Sequence, residues 1–239
     1  MKSTQYAKFI VGLLLLSALC LFAVDEAFKS GSDGSYGPLN IQANTTLDIP
    51  PDGIFRCTTI HVSNPNTTLS FKKNALNPPI YLLATGDVVI ERSATIDVSA
   101  ELRTKIPGPG GFPGGEPGFQ GASPGDGHGP GAGKFGNAFT PHGVFAGSIG
   151  DNTNVYGNSL LLPLVGGSGW AAVNQNFGGG GGGAILIASD TRVVIDGRII
   201  ASGTGYAAGV GSGGAIRVVA PIVSGSGELV PVTSFSATM

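Results

Sequence analysis

A strand-like phrase occurs three times in this chain, and it restricts the available folds more than any other feature. It reads Pro79-Ile-Tyr-Leu-Leu-Ala84, then Ala184-Ile-Leu-Ile-Ala-Ser189, then Ala215-Ile-Arg-Val-Val-Ala220. The echo continues past each phrase. Val88-Val-Ile-Glu91 answers Val193-Val-Ile-Asp196, and Thr95-Ile-Asp-Val-Ser99 answers Arg198-Ile-Ile-Ala-Ser202. A shorter third copy is Gly227-Glu-Leu-Val230. Alternation within the phrase turns Ile185 and Ile187 inward, and Val193 and Ile195 beyond the turn. The second and third phrases start about thirty residues apart, a spacing typical of one structural repeat. Self-similarity of this kind predicts units that bury their apolar faces against their own copies.

The remaining apolar runs agree with an all-β chain. They cover Leu39 to Ile49, Thr58 to Val62, Thr68 to Phe71, Ile80 to Ala84, Asp87 to Ile90 and Thr95 to Val98. Each is short, rich in β-branched residues and bounded by Asn, Pro, Gly or Asp. The predicted architecture is a right-handed parallel β-helix, a solenoid, with a large glycine-rich insertion at 107–183. The alternative is a β-sandwich or jelly roll. The insertion carries most of the 41 glycines. Its Gly-Pro-Gly opening looks collagenous, but the triplet register slips at Pro117 and Pro124, which a triple helix does not tolerate. Phe112, Phe119, Phe135, Phe139, Phe145 and Phe177 are spread through it, which favours an ordered lobe with phenylalanines filling between glycine backbones.

The N-terminus fixes a compartment. Lys2 and Lys8 precede a nearly unbroken apolar run from Phe9 to Phe22, and Ala23 offers a small residue for cleavage. This is the three-part pattern of a secretory signal over 1–23, and the run is short for a spanning helix. The expected organisation is a signal at 1–23, a flexible segment at 24–38 and one domain over 39–239, secreted or held at the cell surface, with no membrane span once the signal is removed. Processing leaves 11 basic residues against 15 acidic ones, a net charge near −4. A mildly acidic chain without basic clusters argues against nucleic acid as a partner. Only Cys57 survives processing, so no internal disulfide forms, and its alternating strand context marks a buried thiol. Asn44 and Asn66 each open an Asn-Thr-Thr acceptor for glycosylation.

Pro79 to Ser99, the glycine-rich segment, Leu161-Leu-Pro-Leu-Val-Gly-Gly-Ser-Gly169 and the two later phrases together resemble a group of glycine-rich exported bacterial proteins of unassigned activity. The resemblance implies export, a parallel β-helix and a surface setting. It carries over no catalytic residue.

The residues themselves give little sign of chemistry. Asp87, Glu91, Asp97, Asp190 and Asp196 are the best carboxylate candidates, with Glu91 and Asp196 equivalent by repeat and Arg217 nearby in the third phrase. Acidic residues after Val-Val-Ile, however, read first as solvated turn residues. His61 sits in a strand, while His128 and His142 lie in the glycine-rich segment without ligand spacing. Gly133-Lys134-Phe135 departs from a phosphate loop, because His128 replaces its first glycine and Phe135 its hydroxyl residue. Trp170, Tyr156 and Tyr206 are possible platforms for sugar rings, although Trp170 beside Gly169 reads more readily as a plug. The sequence therefore assigns no catalytic, cofactor-binding or metal-binding residue and no cofactor. It predicts a non-catalytic structural or adhesive solenoid. A carbohydrate-binding module and a β-helix polysaccharide lyase or hydrolase are the alternatives. The expected partners are extracellular polysaccharide or cell-envelope components, and the oligomeric state is left open.

Overall fold

In a computed structural model the described residues are 27–119, 122–133, 156–173, 175–206, 209–231 and 233–235. Their strands are β1 (Gly37–Ile41), β2 (Thr45–Asp48), β3 (Ile54–Val62), β4 (Thr68–Lys72), β5 (Ile80–Ala84), β6 (Val88–Ile90), β7 (Thr95–Asp97) and β8 (Ala184–Ser189). They continue as β9 (Arg192–Ile195), β10 (Arg198–Ile200), β11 (Gly203–Tyr206), β12 (Gly209–Val210), β13 (Ala215–Val219), β14 (Ile222–Ser224), β15 (Glu228–Val230) and β16 (Thr233–Phe235). The largest sheet has eight strands, seven of them in the order β13-β8-β5-β3-β6-β9-β14, with β1 on β3. A five-stranded sheet β15-β10-β7-β4-β2 and a three-stranded sheet β12-β11-β16 flank it.

This topology corrects the expected β-helix. The main sheet wraps through 292° and nearly closes as a parallel barrel, so the repeat solenoid, and the β-helix that the family resemblance implied, are both overturned. The sandwich alternative also falls, because the strands of both large sheets pair parallel. The physical reason lies in β3. Its first half, Ile54 to Cys57, pairs with β5, while its second half, Ile60 to Val62, pairs with β6. One nine-residue strand thereby joins two rows of shorter strands into a single curling sheet. The structural or adhesive reading rested on a solenoid rod and loses its basis, as does the lyase analogy drawn from the β-helix.

Within this sheet the three phrases are neighbours. Ile80 faces Ile185, which faces Ile216, and Val88 faces Val193, which faces Val223. In the second sheet Leu69, Ile96, Ile199 and Leu229 form a similar row. Ile80, Ile185, Val88, Val193, Leu69, Ile96 and Ile199 are fully buried and belong to one core. Burial of such a side chain stabilises the fold by about 1.5–3 kcal/mol each.

The glycine-rich segment packs by another principle. Gly178 to Gly183 runs through it as an extended, fully buried strand of backbone. The N–H groups of Gly178, Gly181, Gly182 and Gly183 donate to the carbonyls of Gly115, Phe112, Ser212 and Val98 at 2.8–3.0 Å. Its carbonyls accept from Gly108, Gly167 and Trp170. The run is thus surrounded by backbone on several sides, with side chains excluded. A Cβ on Gly181 would lie 1.9 Å from the Gly167 oxygen, and one on Gly179 would lie 1.9 Å from the Thr204 oxygen. Backbone, rather than phenylalanine, fills the described lobe. Phe112 does pack on Gly129, but Phe119 and Phe177 are exposed, and Phe135, Phe139 and Phe145 lie outside the described residues.

A segment at 29–36 straps the strand ends. Ser30 Oγ donates to the Ala84 carbonyl at 2.8 Å, and Ser32 Oγ to the Cys57 carbonyl at 2.7 Å. Asp190 accepts from the Ser30 N–H at 2.6 Å and pairs with Lys29 at 3.2 Å. Among the described residues no helix is long and apolar enough to cross a membrane.

Gly181→Ala is expected to lose more than about 3 kcal/mol, since a methyl group would have to displace backbone rather than a movable side chain. Gly125→Ala, whose added Cβ would stay 3.2 Å from its nearest neighbour, is expected to lose about 1 kcal/mol or less. Urea unfolding of the two variants measures the difference.

Candidate functional site

The outer face of β5 and β8 is apolar where solvent-facing residues are usually polar. Tyr81 and Leu186 are aligned outward-facing neighbours, and the Arg217 side of β13 continues the row. Residues 156–165 dock on this face. Leu164 is buried with Ala184 and Ala215, and Tyr81, Leu161 and Leu186 pack around them. The two alanines begin their phrases and leave the room that Leu164 fills.

Asn158 shapes the docking loop. Its Oδ1 accepts from the N–H groups of Leu160 and Leu162 at 2.9 and 3.3 Å, and its Nδ2 donates to the Leu162 carbonyl. This is the local bonding by which Asn stabilises turns. Tyr156 Oη donates to the Gly166 carbonyl at 2.8 Å, which fixes its ring at the loop base.

Between this loop and the strand phrase lies a groove of about 280 Å³. It is lined by Tyr156, Leu161 and Pro163 from the loop and by Ser212, Gly213, Gly214 and Ala215 where the third phrase begins. Ser212 is held in place, since the Ser168 N–H donates to its Oγ at 2.7 Å and its own N–H donates to the Ser168 carbonyl at 2.9 Å. None of the described lining residues is charged. The groove can accommodate a neutral ligand with one flat apolar face and a polar rim, and its described lining residues offer no general acid or base.

The candidate carboxylates are not brought together. Asp87 accepts from Thr191 Oγ1 at 2.7 Å and pairs with Arg192 at 2.8 Å. Glu91 pairs with His61 at 2.8 Å. Asp97 accepts from the Ser99 N–H, and Asp196 from Ser226. Each carboxylate is held by a different partner at its own turn or strand, and Arg217 stands on another sheet from Asp97. Among the described residues no group of three His, Cys, Asp or Glu side chains could hold a metal ion. His128 is used through its backbone, which bonds Pro113, and His142 lies outside the described residues.

Of the aromatic candidates, Tyr156 lines the groove. The Trp170 ring is closed in by Gly133 and Gly209, where an added Cβ would come within 2.9 and 2.1 Å of it, so it plugs the lobe. Tyr206 is the last residue of β11. Leu161, Pro163, Gly213 and Gly214 were missed as site residues. The signal that could have found them is the apolar character of Tyr81 and Leu186 at outward positions, which requires a covering segment.

Charge and burial set the acid behaviour. Hydrogen bonds from Thr191 and Arg192 hold Asp87 below the ordinary carboxylate value of 3.8, and bonds from Ser226 do the same for Asp196. At Asp190 burial raises the value, but Ser30 and Lys29 more than reverse it. These groups bind fewer protons folded than unfolded, so their contribution is complete above 3.8 and is lost as the pH falls through the folded values. Stability is therefore expected to decline below about pH 4, less steeply in Asp190→Asn, as followed by urea midpoints against pH. Burial pushes the Cys57 thiol up to about 11. Iodoacetamide at neutral pH should therefore label it only after unfolding, as read by mass spectrometry.

Comparisons with protein-family models, with curated proteins and with solved structures found no match for this chain.

Proposed function

We propose that this chain is an exported binding domain that retains a neutral carbohydrate chain in the groove beside β13. The observation that carries the reading is the groove itself: Tyr156 and Pro163 give it apolar ring surface, Ser212, Gly213 and Gly214 line it as well, and none of its described lining residues is charged. Sugar rings present a C–H face to aromatic and proline rings, and they hydrogen-bond backbone at their edges. At about 280 Å³ the groove lies just below the usual range of ligand sites, about 300–1,000 Å³. This fits a short stretch of a longer chain rather than an enclosed small molecule. The secretory pattern of residues 1–23 supports a partner outside the cytoplasm.

Affinity electrophoresis through neutral glucans, mannans and xylans, beside polyuronates, tests this reading, with released fragments assayed in parallel. Retention by neutral polymers without fragments is the expected result. Tyr156→Ala should weaken it about tenfold, whereas Tyr156→Phe, which keeps the ring, should preserve most of it. Release of fragments would replace binding with cleavage. Retention by polyuronates alone, or by nothing, would sink the proposal.

A further inference from the structure

The hydrogen-bonding character of the groove is set by where its donors are spent. Two of the described lining residues carry hydroxyl groups, Tyr156 and Ser212. The Tyr156 proton goes to the Gly166 carbonyl at 2.8 Å. Ser212 Oγ donates to the Ser168 carbonyl at 3.3 Å, and the same oxygen accepts from the Ser168 N–H at 2.7 Å. Much of the lining backbone behaves in the same way. The N–H groups of Leu161, Gly166, Ser212, Gly214 and Ala215 donate to the carbonyls of Asn158, Gly110, Ser168, Ala201 and Gly183 at 2.7–3.0 Å. Pro163 has no N–H to offer.

Acceptor capacity is left over. A hydroxyl oxygen has one proton and two lone pairs. Ser212 Oγ fills one lone pair with the Ser168 N–H and has no further donor among the described residues, so its second lone pair is free. Ser212 is exposed and lines the groove. It is fixed from behind: Ser168 is 2% exposed, and Ser168 Oγ in turn accepts from the Gly131 N–H at 2.9 Å. Turning the Ser212 proton toward a ligand would give up its bond to Ser168. Accepting from a ligand breaks no bond already made. A ligand hydroxyl that donates is therefore favoured over an ether or ester oxygen that can only accept.

On the neutral-carbohydrate reading above, on which this rests, we propose that Ser212 is the specificity-determining residue of the groove. Its free lone pair accepts from a sugar hydroxyl, so the groove selects unsubstituted neutral polysaccharide over O-methylated or O-acetylated chains. A site built to hydrogen-bond a ligand hydroxyl discriminates against the analogue that lacks the proton.

Affinity electrophoresis of the chain freed of residues 1–23, through neutral glucans, mannans and xylans and their O-methylated derivatives, tests the assignment. The described fold begins at residue 27 and is retained in that chain. Wild type should be retained about fivefold more strongly by the native polymer than by its methylated form. Ser212→Ala keeps the backbone bond to Ser168, and circular dichroism confirms that it folds. It should lose about fivefold on the native polymer and nothing on the methylated one, because the bond it removes is absent there. An equal loss on both polymers would make Ser212 a structural residue and overturn the proposal. Wild type indifferent to methylation would also overturn it and leave carbohydrate binding standing. Failure of every neutral polymer to retain the wild type would overturn both.

Discussion

The structure depends on a stretch of chain that has no side chains. Gly178 to Gly183 is where the lobe and the barrel meet, and its neighbours approach to distances that leave no space for a methyl group. The usual route to a protein interior is apolar side-chain burial, with backbone polar groups satisfied as a condition. Here the order is inverted. Hydrogen bonds at 2.7–3.0 Å link the run to 108–115, 167–170 and 212, and they also tie it to Val98 at the end of β7. Glycine loses more conformational freedom on folding than any other residue, so dense backbone contact has to offset an unusually large entropic cost. The run leads directly into β8, which lies in the main sheet between β13 and β5. Lobe and sheet are for that reason joined by backbone hydrogen bonds as well as by the continuity of the chain.

Much of the strand inventory was legible in the sequence, and the closure was not. Alternation turned Ile185, Ile187, Val193 and Ile195 inward, and all four are buried. The repeated phrase identified strands that lie side by side, because identical neighbours stack well on a pleated surface. Sheet curvature is set by something the repeat does not contain. Among the described strands β3 is long enough to pair with two successive partners along its length, and the sequence reading divided it between the alternating context of Cys57 and a run from Thr58 to Val62. Local pattern gives strand identity, while the path of a sheet depends on which halves of a long strand find which partners.

The candidate site was less legible, for a related reason. Its walls come from residues 156–165 and 212–215, far apart in the chain and unremarkable in each place. Leu161 to Leu164 looks like ordinary apolar loop until the face beneath it is known. The acidic residues, by contrast, attracted attention because they are chemically conspicuous. The structure occupies each of them with a serine, threonine, lysine, arginine or histidine that holds a turn or strand end. Their regular placement reflects the repeat of the turns, and a repeated turn needs a repeated cap.

The strap at 29–36 has a kinetic consequence. Its anchor, Asp190, lies about 160 residues further along the chain, and β5 waits for β8 across about a hundred residues. Closure of loops this long is entropically costly, and parallel pairings across such separations are slow to form. A chain made from its N-terminus therefore carries β1 to β7 with one flank unpaired until the glycine run and β8 arrive. During that interval Ile80, Leu82 and Ala84 present a bare apolar edge, and any factor that holds the nascent chain would act there. The first segment would then be tied late: Ser30 and Lys29 reach Asp190 only once β8 is in place.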